Sequence, residues 1–162
     1  MARRAFFSFH YENDVWRANQ VRNSWVTQGK EAAGFVDSAE FEKVKRGGDA
    51  AIKKWIDNQL DGTSVTVVLI GSDTSNRPYV QYELQKSYEK GNGIIGVYIH
   101  QLKDQDGKTS SKGSSTFGEL GKDSNGNLVY FYQIAKEYDY VNDDGYSNLG
   151  SWIEDAAKKV GR

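Results

Sequence analysis

Hydrophobic positions along this chain follow two rhythms that alternate from one end to the other. Short β-branched or aromatic runs occur at Ala5-Phe6-Phe7-Ser8-Phe9, Gly34-Phe35-Val36, residues 64–70, Ile94-Ile95-Gly96-Val97-Tyr98-Ile99 and Leu128-Val129-Tyr130-Phe131-Tyr132. Runs of this kind read as strands buried on both faces. Between them the spacing turns helical. Ala18, Val21 and Trp25 fall at i, i+3, i+7 and predict a helix over 14–27, capped by Asn13 or Asp14, with Trp16 and Trp25 as core residues. Ile52, Trp55, Ile56 and Leu60 give a second amphipathic helix. Pro78 suits a first helical position and Gly91-Asn92-Gly93 suits a helix end, which sets a third helix at 78–90. Leu149, Trp152, Ile153, Ala156, Ala157 and Val160 form the clearest helical stripe.

This alternation predicts an α/β fold: an open parallel sheet of about five strands in the flavodoxin-like order 2-1-3-4-5, helices on both faces, and a single domain over residues 1–162. Residues 101–127 are rich in Lys, Asp, Ser and Gly and hold few core candidates, so they read as a long surface loop, a lid or a partner-binding element. In open sheets of this type, ligands bind beyond the carboxyl ends of the strands, where strand order reverses. Ser8, Phe9 and His10 after the first strand, Asp37 after the second, and Gly71 to Arg77 after the third are thereby nominated. Glu83 faces the same crevice if its helix turns Val80, Leu84 and Ser87 toward the sheet. It then lies near the positive end of that helix, where a carboxylate is expected to stay ionised.

Composition removes several classes of function. The 162 residues carry 21 Lys and Arg against 22 Asp and Glu, a net charge of -1, which gives no long-range attraction for nucleic acid or anionic membranes. No cysteine is present, so there is no disulfide, thiolate metal site or cysteine nucleophile, as suits a reducing cytosol. Met1-Ala2-Arg3-Arg4 leads straight into the first strand without the apolar run of a signal peptide, and the expected location is the cytoplasm. No P-loop, G-x-G-x-x-G or H-E-x-x-H pattern occurs, and His10 and His100 are the only histidines, so no metal site is expected. Asp104-Gln105-Asp106-Gly107 and Asp143-Asp144-Gly145 lack the other calcium-loop ligands and read as turns. On spacing alone Glu83 is better explained as a solvated helix-surface glutamate paired with Lys86 at i, i+3.

Resemblance to a known family changes that balance. Arg4-Ala5-Phe6-Phe7-Ser8-Phe9-His10-Tyr11, Val21-Arg22-Asn23-Ser24-Trp25-Val26, Thr63 through Ser72, Tyr82-Glu83, Glu89-Lys90-Gly91-Asn92 and Asp144-Gly145-Tyr146 together resemble the TIR-like domain family of the Thoeris antiphage protein ThsB. Tyr79-Val80-Gln81-Tyr82-Glu83-Leu84 stands where TIR domains carry W-C-x-x-E-L, with Tyr79 in place of the tryptophan and Val80 in place of the cysteine.

The resemblance implies an enzyme that cleaves NAD+, as a glycohydrolase or ADP-ribosyl cyclase, with Glu83 as the catalytic residue. NAD+ is then a substrate and no cofactor is required. The implied output is a cyclic ADP-ribose-type signal in antiphage defence that reaches a separate effector protein, with self-association of the chain. A non-catalytic TIR-like interaction or nucleotide-sensing module is the alternative on the same fold. Ser8, Phe9 and His10 occupy the S-[FY] segment of TIR domains and are candidate substrate contacts, although Phe9 serves equally as core and His10 as a surface histidine. Asp37 falls in the loop that shapes the TIR pocket. Arg77 is a candidate phosphate contact or a solvated helix-start residue, and Tyr79 keeps the aromatic packing role beside the site.

Overall fold

The computed structural model describes residues 4–27, 32–33 and 43–162, and every structural statement below concerns those residues. A five-stranded parallel sheet is ordered β2-β1-β3-β4-β7, from β1 (Ala5–Ser8), β2 (Ala32–Ala33), β3 (Val65–Ile70), β4 (Gly93–Tyr98) and β7 (Lys136–Asp139). The order is the flavodoxin-like one, with the chain reversing its direction of travel between β1 and β3. Four main helices cover the sheet: α1 (Tyr11–Thr27), α2 (Gly48–Leu60), α3 (Pro78–Lys90) and α5 (Gly145–Lys159). A single-turn helix, α4 (Phe131–Ile134), and an antiparallel hairpin of β5 (Glu119–Lys122) and β6 (Leu128–Tyr130) complete the chain.

Period-two alternation in β3 sorts its side chains between two cores. Val65, Val67 and Leu69 face α1 and α5, where they meet Ala18, Val21, Trp25, Leu149 and Ile153. Val68 and Ile70 face the other way, against Val80 and Leu84 of α3 and Phe131 of α4. Phe6 of β1 packs with Ile56 and Leu60 of α2 in a third cluster on that second face. Pro78 opens α3 and Gly91, in the left-handed region at φ 88°, closes it, as their chemistry predicts.

Four expectations are corrected. Leu128 to Tyr132 is not the fifth strand of the main sheet: residues 128–130 form β6, which pairs with β5, and Phe131-Tyr132 turn into α4. The edge beside β4 is taken instead by the polar Lys136-Glu137-Tyr138-Asp139. Helix α1 begins at Tyr11, three residues before the predicted start, so neither Asn13 nor Asp14 caps it. Trp25 is buried as expected, whereas Trp16 is 53% exposed.

The tract 101–127 is largely an exposed loop with few core residues, as expected, but it is tied down along its length. Phe117 and Leu120 are buried against Phe131, and Gln81 of α3 holds the segment by accepting from Gly118 N (2.9 Å) and donating to Glu119 O (2.8 Å). Its first third is tied to α1 by Arg17, whose Nε donates to Leu102 O (2.8 Å) and whose guanidinium also donates to Lys108 O (2.9 Å). A Cβ on Gly113 would fall on the Gly71 carbonyl, so the tract lies directly over the end of β3.

Candidate active site

Two sequence choices build the site. β1 ends in Ser8, which is wholly buried and in register with Val68 of β3, so its hydroxyl stays inside the protein. α3 turns Val80, Leu84 and Ser87 to the sheet, and this rotation brings Glu83 over the end of β1. Ser8 Oγ donates to Glu83 Oε1 at 2.9 Å. Among the described residues, the other carboxylate oxygen has no hydrogen-bond partner.

Glu83 keeps 7% of its surface, in the wall of a cavity of about 330 Å³. That volume is at the lower end of the range that holds small ligands, about 300–1,000 Å³. Phe7 and Phe9 from β1 and its extension, Val80 from α3, and Ile52, Trp55 and Ile56 from α2 make most of the wall apolar. His10, Glu12, Lys45, Arg77 and Tyr79 are the polar groups that line it beside Glu83, with Tyr11. Burial drives the Glu83 carboxyl up to about 8, with the Ser8 hydrogen bond pulling weakly the other way. Helix position alone favours an ionised carboxylate, and burial pulls in the opposite direction.

The remaining polar groups leave unused capacity. His10 Nδ1, Trp55 Nε1 and Arg77 Nε are buried without a hydrogen-bond partner, and all three residues line this cavity. A buried polar atom left unpaired costs about 1–3 kcal/mol, and such atoms concentrate where a ligand or a local adjustment satisfies them. The His10 imidazole is held below its ordinary range by burial and by the nearby Arg77 guanidinium, so it sits in the wall uncharged. Arg77 is matched by Asp73 Oδ2 at 2.7 Å, and Lys45 by Glu12 Oε1 at 3.0 Å.

α2 is seated over the cavity by hydrogen bonds from α3. Tyr79 OH donates to Asp49 Oδ1 at 2.9 Å and Tyr82 OH to Asp57 Oδ1 at 3.0 Å. Tyr79 thus both lines the cavity and pins the helix that forms its far wall. Loss of this latch in Tyr79→Phe is expected to cost about 1 kcal/mol of stability, read as a fall of a few degrees in the thermal midpoint.

The structure thus gathers Phe9, His10, Arg77, Tyr79 and Glu83 around one cavity. Ser8 is apart from them: it does not line the cavity and touches Glu83 instead. Asp37 lies outside the described residues. Sequence reasoning missed the contribution of α2, since Ile52, Trp55 and Ile56 keep the spacing of an ordinary core stripe whether they face core or cavity. The orphaned indole N–H of Trp55 could be found only from coordinates. Among the described residues, no cluster of His, Asp or Glu could hold a metal ion, and no helix is long and apolar enough to cross a membrane.

Residues 6–104 match the family model described as Thoeris protein ThsB, TIR-like domain. A protein of Bacillus cereus (strain MSX-D12) named "Putative cyclic ADP-D-ribose synthase ThsB1" is 41% identical over 191 aligned positions, which cover 94% of this chain and all of that relative. A parallel sheet in the flavodoxin-like order, a glutamate on the helix after β3 and likeness across nearly the full length agree, and this chain belongs to the ThsB TIR-like domain family.

Proposed function

We propose that this protein cleaves the nicotinamide–ribose bond of NAD+ at Glu83 and closes the remaining ADP-ribose into a cyclic product. The observation that carries this reading is the buried Glu83, bonded by Ser8 at one oxygen and without a partner among the described residues at the other, in the wall of a largely apolar cavity. The name of the Bacillus cereus relative supports the same chemistry. NAD+ serves as substrate, and no further cofactor is needed.

One carboxylate suffices because of the leaving group. When the bond between the anomeric carbon and the pyridinium nitrogen breaks, its electron pair goes to the ring nitrogen and nicotinamide departs neutral. A glycosidase must protonate an alkoxide and needs a second carboxyl for it. The ribose is left as an oxocarbenium ion, which an ionised Glu83 stabilises electrostatically in a site poor in water. An adenine nitrogen or a ribose oxygen of the same molecule then attacks the cation to close the ring, provided that the cavity holds it there ahead of water. The product would act on a separate effector protein.

A carboxyl that burial raises to about 8 is compatible with this role, because the positive pyridinium of the substrate favours the charged form. The pH dependence follows with a definite sign. kcat/KM, which reports the free enzyme, is expected to rise with pH up to about 8, while the corresponding limb of kcat lies lower because the bound cation has already ionised Glu83. Ser8→Ala removes a bond that favours the carboxylate, so the limb in kcat/KM should move to higher pH. An unmoved limb would show that Ser8 does not tune Glu83.

The direct test is incubation of purified protein with NAD+ at high protein concentration, with chromatography for nicotinamide and cyclic product. Both should accumulate in equal amounts. Tight NAD+ binding in calorimetry with no consumption would instead favour a nucleotide-sensing module.

A further inference from the structure

We propose that the cavity admits a pyridinium ring only when the ring's substituent is uncharged, so that NAD+ is taken and its carboxylate counterpart, nicotinic acid adenine dinucleotide, is refused. This deepens the assignment of the cavity to NAD+ and rests on it. The charges on the wall support it. Both cationic side chains that line the cavity are matched by a neighbouring acid, Lys45 by Glu12 at 3.0 Å and Arg77 by Asp73 at 2.7 Å. They are also the outer groups, with side chains 51% and 40% exposed, whereas Glu83 is at 7%. Their place suits the diphosphate of a dinucleotide rather than a ring buried beside Glu83.

At the inner end, a carboxylate on the ring would leave water without meeting a cation of the described lining, opposed only by the pyridinium nitrogen of its own ring. Phe7, Phe9, Val80, Trp55 and Ile56 offer it no charge, and the nearest ionisable group, Glu83, is an acid. A carboxylate on the ring would cancel the ring charge that favours an ionised Glu83 and face that acid with a second one, whereas a neutral amide needs only hydrogen bonds and leaves the ring charge intact. His10 does not change the balance, since burial and Arg77 hold its imidazole uncharged.

The experiment compares the two dinucleotides as substrates, and free nicotinamide and nicotinate as ligands by saturation-transfer NMR, using the full chain at pH 8.5. The expected result is kcat/KM for NAD+ at least about 10²-fold above that for the acid analogue, and transfer to nicotinamide but not to nicotinate. Equal use of both dinucleotides, or equal transfer to both free ligands, would overturn the proposal while leaving NAD+ cleavage intact. Selective transfer to nicotinamide without NAD+ consumption would uphold the selectivity and remove the catalytic assignment.

Discussion

Glu83→Gln is expected to lower nicotinamide release by about 10³-fold, on the order of 4 kcal/mol of transition-state stabilisation, while the protein folds at least as stably as before. The amide keeps the shape of the carboxyl and can still accept from Ser8, so the cavity should be preserved. What it lacks is the negative charge that meets the oxocarbenium ion. The stability half of the result follows from the titration. Burial raises the folded-state value of Glu83 from 4.5 to about 8, so between those values the folded protein binds a proton that the unfolded chain does not. Stability therefore falls as pH rises through that window, and above about 8 the full cost of a buried carboxylate is present. Gln carries no such cost, so the variant's thermal midpoint should exceed that of the wild type by a margin that widens from pH 5 to pH 8. Lost activity together with a lowered midpoint at every pH would point to a damaged fold and would withdraw Glu83 as the stabilising charge.

The elements that build the site are those whose chemistry is local. β3 declares itself by its β-branched run, α3 by Pro78 and Gly91, and the rotation of Glu83 follows from Val80, Leu84 and Ser87. What could not be read depends on partners distant in sequence. Lys136-Glu137-Tyr138-Asp139 is polar because it is an edge strand, and only the free side of β4 makes a strand of it. Leu128-Val129-Tyr130 has the stronger strand signal and does form a strand, but the turn at Asp123–Asn127 commits it to β5 first. Asp14 looks like a cap beside Asn13, yet its side chain is fully buried with Arg17 nearby, and a Cβ on Gly71 would strike it. The raised titration of Glu83 was hidden for the same reason: helix position is written in the sequence, and the depth of the cavity is not.

That buried Asp14 makes Arg17 the residue on which the far side of the crevice depends. Arg17 is 4% exposed and Asp14 wholly buried, with NH1 3.7 Å from Asp14 Oδ1 and NH2 3.6 Å from Asp104 Oδ2. The same guanidinium holds the carbonyls of Leu102 and Lys108, so one side chain both neutralises Asp14 and straps residues 102–108 to α1. Arg17→Met keeps the length and the apolar stem but leaves a buried carboxylate without its cation and two carbonyls without a donor. Removing one member of a buried ion pair costs about 3–5 kcal/mol, and in a domain of this size that is a fall in thermal midpoint of about 10 °C. The pH dependence identifies the cause. Burial already lifts Asp14 from 3.8 to about 6 against the pull of Arg17, and without that pull it must rise further. The variant's deficit should therefore be largest above pH 7 and shrink toward pH 4, where Asp14 is protonated in both proteins. Asp14→Asn in the Arg17→Met background should recover part of the loss, since it removes the buried uncompensated charge and leaves the two carbonyls and the more exposed Asp104 without Arg17. A deficit that is the same at pH 4 and pH 8, or a double variant worse than Arg17→Met alone, would mean that Arg17 acts by packing and strapping and not by neutralising Asp14.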